Sequence, residues 1–512
     1  MPLRHIVGIL LPSAIVGLIL GWRLVQARDL ALPAWVDSVH HALVVRILLE
    51  QRTIPAVWAP YLPEVPFYYH FGFHLSAAAV AVVAGNDPGR AVLWAGHLWQ
   101  AALAAGVYLL TIELSGKRSK ALAALLLVGF VSQMPAYYIS WGRYTLLAGL
   151  ALAAFAMSAA LADRTVVLAF LVAATAVTHY YALFLLLLFL ALLVFADRKR
   201  RKAVAAGGLL GLVLVSPWLW RVLLYERRAI GVRVLTSSAG YDPTYLAYLL
   251  GPLRNAILLG LAAAGVILVL LRFRVHPRSS ASHFEARTSG WLAFVLWTTA
   301  LVVMLGPWHL GPFRPDHAAI VMFLPAVVLA PEALWRLRRP PLIGACLAVL
   351  VAWGIWQTRV IIRPETVLAT ADDVTAIAWA AAHTPPDAIF LVDADAWGST
   401  WRGVDGGWWL EPLAGRRTIP PPVVHEWAVT SEAPDWDNYS RRIHALANLP
   451  DHLYCRELAL LGAQTGAAYY YTRSERPGRC PDFREAYRGP GGIFIFANVT
   501  GPMPDTSRDP RV

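Results

Sequence analysis

The chain repeats one pattern throughout most of its length: runs of apolar residues long enough to be helices, joined by short polar connectors. A helix needs about 20 mostly apolar residues, within a range of roughly 17–25, to cross the hydrocarbon of a bilayer. Candidate runs lie at 6–22, 90–113, 121–139, 144–162, 165–178, 182–196, 203–224, 246–271, 289–306, 317–335 and 341–357. The run at 165–178 is short for a full crossing. Composition points the same way, with 58% hydrophobic and 15% charged residues, where a globular chain has about 45–50% and 25%. The expected fold class is a polytopic α-helical membrane protein of about eleven transmembrane helices.

The first run, Ile6–Trp22, follows Arg4 and is not followed by a convincing A-x-A cleavage site. It reads as a retained helix with its N-terminus inside rather than a signal peptide. Segment 67–85 (FYYHFGFHLSAAAVAVVAG) is a twelfth candidate, and it decides the topology. The formal charge is +12, yet the chain has only four lysines, Lys117, Lys120, Lys199 and Lys202, all in basic connectors. If 67–85 lies along the outer interface, those connectors face the cytoplasm, together with Arg198–Arg201, Arg272, Arg274, Arg278, Arg336, Arg338 and Arg339. If it crossed, every cluster would face outward, against the positive-inside bias. The surface placement is therefore adopted. No basic strip interleaved with aromatics argues for nucleic acid.

An odd number of crossings sends the region from 358 to 512 to the outer side. The expected domains are thus a bundle over 1–357, with a first outer loop at about 23–89, and an extracytoplasmic α/β domain over 358–512. Its opening reads as a helix at Ala371–His383, a turn at Thr384-Pro385-Pro386 and a strand at Ala388–Val392. Strands are also expected at Ala467–Thr472 and Gly492–Val499. Cys346 falls in an apolar run, while Cys455 and Cys480 fall in this domain. Outside the cytoplasm a bridge between the latter two is compatible with the compartment; two free thiols fit the sequence as well.

The first outer loop opens with Trp35-Val36-Asp37-Ser38-Val39-His40-His41, running into an amphipathic helix that ends near Glu50. Pro55, Pro60, Pro63 and Pro66 then forbid helix and alternate with Trp58, Tyr61, Phe67, Tyr68 and Tyr69. Asp37 has two readings: an N-cap for the helix, or a carboxylate at the membrane boundary able to take a proton or hold a cation. His40 and His41 stand one turn on. Asp29 reads as a solvated interfacial residue. His70 and His74, four apart, share a helix face, but two histidines without a third ligand make a weak zinc site.

A first helix, a long outer loop opening with an acidic residue, then a surface helix of the Tyr68-Tyr69-His70-Phe71-Gly72-Phe73-His74 type resembles the GT-C glycosyltransferases. These include protein mannosyltransferases, aminoarabinose transferases and oligosaccharyltransferases. Thr178-His179-Tyr180-Tyr181 resembles the turn between two short helices in the mannosyltransferase-like branch, and Trp379–Phe390 (WAAAHTPPDAIF) resembles the phrase opening the outer domain. The resemblance implies Asp37 as catalytic base or metal ligand, a polyprenyl-phosphate sugar as donor, and transfer to a glycan, lipid or protein acceptor on the outer face. Two departures stand out. The next outer turn, Tyr137–Tyr144 (YYISWGRY), has no carboxylate, which speaks against magnesium or manganese held by paired acidic residues. The WWDYG motif of oligosaccharyltransferases is also missing, with Gly403–Trp409 (GVDGGWW) in a comparable region.

Arg143 replaces that carboxylate. A guanidinium there suits a departing phosphate, or it snorkels at the interface. Arg314-Pro315-Asp316-His317 offers a second clamp, or an internal Arg314–Asp316 contact. His179, Tyr180, His40 and His74 are candidates for orienting donor or acceptor. The loop after the seventh run, with Arg221, Arg227, Arg228 and Arg233, suits an anionic partner or lipid headgroups. Trp397, Trp401, Trp408 and Trp409 offer a sugar-binding edge or a domain core docking on the bundle. The expected function is a membrane glycosyltransferase. A flippase for lipid-linked saccharide and a non-catalytic assembly protein are the rivals, and ionisable residues confined to helix ends favour the enzyme over the flippase.

Overall fold

The computed structural model describes residues 3–233, 241–275, 282–307, 314–397, 400–423 and 435–499. Side chains are further confined, so the arginines after Tyr225 in the seventh loop lie outside the described residues.

The bundle begins with α1 (Leu3–Gln26). The loop that follows holds α2 (Val36–Gln51), a hairpin of β1 (Val57–Trp58) and β2 (Leu62–Pro66), and α3 (Gly72–Ala84). Then come α4 (Pro88–Ser115), α5 (Arg118–Leu126), α6 (Tyr144–Leu161), α7 (Thr165–Thr178) and α8 (Tyr180–Ala196). The bundle closes with α9 (Arg201–Arg233), α10 (Pro243–Leu250), α11 (Leu253–Val275), α12 (Ser282–Met304), α13 (Pro315–Val321), α14 (Phe323–Leu334) and α15 (Pro340–Thr358).

Among the described residues seven helices are long and apolar enough to cross alone, and an eighth span is α13 with α14, bent by 44°. Three of the eleven expected runs do not form helices of that length. The run at 121–139 is not one helix: α5 passes into a π-helical turn at Leu127–Val131 and a 3-10 turn at Ala136–Ile139. The carbonyls loosened by that turn are taken by two buried arginines, Arg23 to Gly129 at 2.6 Å and Arg254 to Val131 at 2.7 Å. The other two are α7 and α8, 14 and 17 residues long, or about 21 and 25 Å at 1.5 Å per residue. They form a short hairpin whose mouth is tied by Arg200 to Asp163 at 3.2 Å and whose apex is His179.

The two ends of the bundle differ in chemistry. At one end the basic connectors meet buried acids: Lys120 pairs with Glu332 at 2.6 Å, both almost fully buried, and Arg272 reaches the same carboxylate at 2.7 Å. Ser289 and Arg200 converge on Asp197. At the other end sits the C-terminal domain, where Gly89 at the start of α4 packs on Trp409. Helix α3 stays at this end, with Gly72 against Thr178 near the hairpin apex and Asp87 capping α4 just beyond its last turn.

After α15 the chain enters α16 (Ala371–His383), whose Thr370 and Asp373 form a reciprocal capping box. Strand β3 (Ile389–Val392) leads into the hairpin β4 (Ala394–Trp397) and β5 (Thr400–Gly403), then β6 (Arg417–Ile419). Helices α17 (Trp436–Leu446) and α18 (Asp451–Thr465) precede β7 (Tyr469–Thr472), β8 (Phe483–Gly489) and β9 (Ile493–Asn498). The sheet order is β6-β3-β7-β9-β8, parallel around β3 and antiparallel around β9. Cys455 and Cys480 are bridged. One apolar core runs through this domain into the first outer loop, joining Trp408, Trp409 and Leu410 to Val44, Trp58, Tyr61 and Phe67.

Removing one partner of a buried ion pair strands the other charge, at about 3–5 kcal/mol. Glu332→Ala, which leaves Lys120 and Arg272 unneutralised, is expected to cost that much in reversible unfolding in detergent. Lys120→Ala is expected to cost less, because Arg272 still pairs with Glu332.

Candidate functional site

The site is built where α2 begins. Helix α2 starts at Val36, so its N-cap is Trp35, and Asp37 stands inside the first turn with no capping bond. The N-cap reading of Asp37 is thereby overturned. Its carboxylate is left for other work, near the positive end of the helix dipole. Trp35 has φ 71° and ψ 160°, a region populated almost only by glycine and worth about 1–3 kcal/mol of strain in other residues. Its backbone N–H donates to Thr366 O at 2.7 Å, anchoring it to the entry of the C-terminal domain.

The turn after α5 closes on α2 from above. Gly142 has φ +63°, and a Cβ there would lie 2.6 Å from Ser38 Oγ and 2.9 Å from Ser38 N. Glycine thus satisfies both a left-handed backbone and a near-touching approach. His41 fixes the contact by hydrogen-bonding Gly142 O through Nε2 at 3.1 Å and His74 through Nδ1 at 3.0 Å. Ser140 meets Thr366 at 3.0 Å and accepts from Arg363 N at 3.1 Å, so the turn is also held to the domain.

The next residue, Arg143, brings its Nε to 4.0 Å from Asp37 Oδ2, with 35% and 19% of the two side chains exposed. Burial pushes the Asp37 carboxyl up to about 6, against the opposing pull of Arg143. A carboxylate tuned to that value ionises at neutral pH yet holds a proton far better than a solvated one. Tyr69 faces both charges, and burial with the Asp37 carboxylate raises its hydroxyl above the usual range, keeping it a donor.

The remaining candidates divide. Arg314 is half-exposed and pairs with Asp316 at 2.9 Å. Tyr245 lies within electrostatic reach of Arg143, Arg314 and Asp316, so both arginines address one region, bordered by the Tyr137–Tyr248 hydroxyl pair at 2.8 Å. His40 is fully buried, edge-on to Tyr69 at 4.7 Å and near Trp58 at 5.1 Å. His74 is buried against His41 rather than beside the carboxylate. His179, at the hairpin apex, packs on the His70 ring at 4.9 Å. Tyr180 donates to Tyr68 O at 2.8 Å and accepts from Trp218 at 3.2 Å. These four buttress the loop that carries Tyr69.

Trp401, Trp408 and Trp409 are core, with Trp401 and Trp408 donating to Pro421 O and Pro420 O. Trp397 alone of the four remains exposed. Asp405 is buried and caps the following 3-10 turn through Gly407 N at 2.8 Å.

Asp37 is the carboxylate paired with Arg143, and among the described residues no three His, Cys, Asp or Glu side chains converge as metal ligands would. A divalent cation at Asp37 would meet the guanidinium as a like charge. Sequence reasoning missed Tyr69, Trp35 and Gly142. Of these, Gly142 was legible as a glycine inside a conspicuous outer turn.

Gly142→Ala is expected to lower stability by about 1–3 kcal/mol in thermal or denaturant unfolding. Gly344→Ala, where a Cβ meets nothing within 4 Å, should change little.

No protein-family model matches the chain, and no curated protein matches its sequence. Solved structures do match. The oligosaccharyltransferase of Archaeoglobus fulgidus superposes with TM-score 0.58 at 13% identity, over 94% of this chain and 73% of that one. ArnT from Cupriavidus metallidurans gives 0.57 at 15% identity, over 96% of this chain and 99% of its own. The arabinofuranosyltransferase AftD from Mycobacteria gives 0.60 at 13% identity, over 95% of this chain and 40% of its own. The bundle with its C-terminal domain shares its fold with these solved structures, as the resemblance to the GT-C glycosyltransferases implies.

Proposed function

We propose that this protein is a membrane glycosyltransferase that moves a sugar from a polyprenyl-phosphate donor to a hydroxyl acceptor at the domain-bearing end of the bundle. The observation that carries the reading is the Asp37–Arg143 pair: a half-buried carboxylate poised near pH 6 beside a guanidinium, at the boundary between bundle and domain. The oligosaccharyltransferase AglB of Archaeoglobus fulgidus, of the same fold, has been solved with a dolichol-phosphate, which supports a lipid-linked donor.

In this reading the acceptor oxygen attacks the anomeric carbon as Asp37 takes its proton. The bond from that carbon to the donor phosphate oxygen breaks, and the electron pair leaves with the polyprenyl phosphate. Arg143 stabilises the charge that develops there, and Arg314 adds a second positive group on the same side. His40, His74, His179 and Tyr180 keep the loop that carries Tyr69 in place. The connectors rich in lysine and arginine support a cytoplasmic placement of their end, and the Cys455–Cys480 bridge suits an oxidising outer compartment.

Reconstituted protein given undecaprenyl phosphate linked to radiolabelled hexose or pentose, with a glycolipid extract of its own membrane as acceptor, is expected to release polyprenyl phosphate. Asp37→Asn should lower that rate about 10²–10⁴-fold while unfolding like the wild type. Full activity in this variant would remove Asp37 from the mechanism. Because the base acts when ionised, kcat/KM should fall as pH drops through about 6.

Arg143 pulls the Asp37 value down, so Arg143→Ala should raise it further. The acidic limb of the pH profile is then expected to move to higher pH, beside a raised KM for the donor. An unmoved limb would show that the two side chains do not act on each other during turnover.

A further inference from the structure

The hairpin β4–β5 is a two-stranded ribbon whose faces alternate. Ala394 pairs with Gly403, Asp395 with Arg402, Ala396 with Trp401 and Trp397 with Thr400. With a period of two, Asp395, Trp397 and Arg402 share one face, while Trp401 points the other way into the core, where it is 0% exposed. Arg402 and Asp395, directly opposite, pair at 3.2 Å, and His444 on α17 contacts the same carboxylate.

This polar and aromatic face meets the start of α2. Trp397, 36% exposed, stands at right angles to Trp35, with ring centroids 6.1 Å apart, and the Arg402 guanidinium lies 5.7 Å from the Trp35 ring. Arg402 Nε is without a hydrogen-bond partner in the described structure. Trp35 is separated from Asp37 by a single residue, and its indole is placed there by a backbone conformation rarely tolerated outside glycine. The strained Trp35 backbone, the exposed indole of Trp397 and the Arg402 guanidinium therefore meet at the start of α2, two residues before Asp37 in the chain.

Sugars are recognised by this mixture: an aromatic face against the C–H side of the ring, and charged planar groups hydrogen-bonding the hydroxyls. A peptide or a lipid tail would not call for a spare guanidinium and a carboxylate framing two indoles. From this placement, and resting on the glycosyltransferase reading above, we infer that Trp35, Trp397, Arg402 and Asp395 form the acceptor subsite and that the acceptor is a carbohydrate. The acceptor sugar lies on Trp397, with Arg402 and Asp395 binding its hydroxyls, and presents the reacting hydroxyl to Asp37.

The test uses the full-length protein in lipid nanodiscs on an array of neutral and anionic di- to tetrasaccharides, with short peptides and lipid vesicles as controls. Asp37→Asn serves as the binding form, because it removes the base and leaves the subsite intact. It is expected to retain a subset of saccharides. Adding Trp397→Ala should weaken them at least tenfold, while Trp397→Phe, which keeps an aromatic face, should restore most of the binding. Matched unfolding curves control for the fold. Retention of no saccharide, of peptides or vesicles alone, or of saccharides equally by the Trp397→Ala form would overturn the inference. Release of polyprenyl phosphate that depends on Asp37, measured separately, shows whether the glycosyltransferase reading falls with it or survives alone.

Discussion

Everything at the site depends on one close approach, that of Gly142 to the first turn of α2. Two backbones come near enough that no side chain fits between them, and the residues on either side are positioned by that contact. Asp37 and Arg143 are 106 positions apart in the chain, with no helix in common. They become neighbours because the turn is seated on Ser38 and latched by the His41–His74 pair. The guanidinium is thus set by backbone packing, which is stiffer than a flexible ion pair at a part-exposed surface.

That seat is rigid because the loop beneath it is not a loop energetically. Trp58, Tyr61, Phe67 and the apolar face of α2 are buried in the same core as Trp408, Trp409 and Leu410. Side chains of this size bury about 150–250 Å² each. The C-terminal domain therefore acts as a clamp as well as a surface. Trp35 and Ser140 both bond to Thr366, so the segment entering the domain is tied to each half of the site. A loop anchored in this way can sustain the strained Trp35 backbone, since the surrounding contacts over-determine it.

How much of this could be read from the chain follows from the range of each signal. Charge asymmetry among the connectors is a whole-chain property, and it placed α3 at the domain end without any knowledge of packing. Local patterns gave α16 at its observed bounds and three of the sheet strands to within two residues. The run at 121–139 departs from its hydropathy where tertiary contacts replace length: α5 gives way to a π-turn whose carbonyls are taken by Arg23 and Arg254. Asp37 looked like a cap because Asp often caps, but the helix begins one residue earlier. The four tryptophans near Asp405 were ambiguous from composition, and only the β4–β5 register separates Trp397 from Trp401.

The replacement of a second carboxylate by Arg143 carries a consequence for the chemistry. Two acidic residues at such a boundary would need a divalent cation to relieve their repulsion, and that cation would then serve the phosphate. Here the positive charge belongs to the chain itself, on the Arg143 guanidinium. Burial is the main perturbation on the Asp37 carboxylate, and it raises its affinity for a proton. In the proposed reading the base and the phosphate partner are these two residues, and proton uptake at Asp37 is then what sets how the reaction depends on pH.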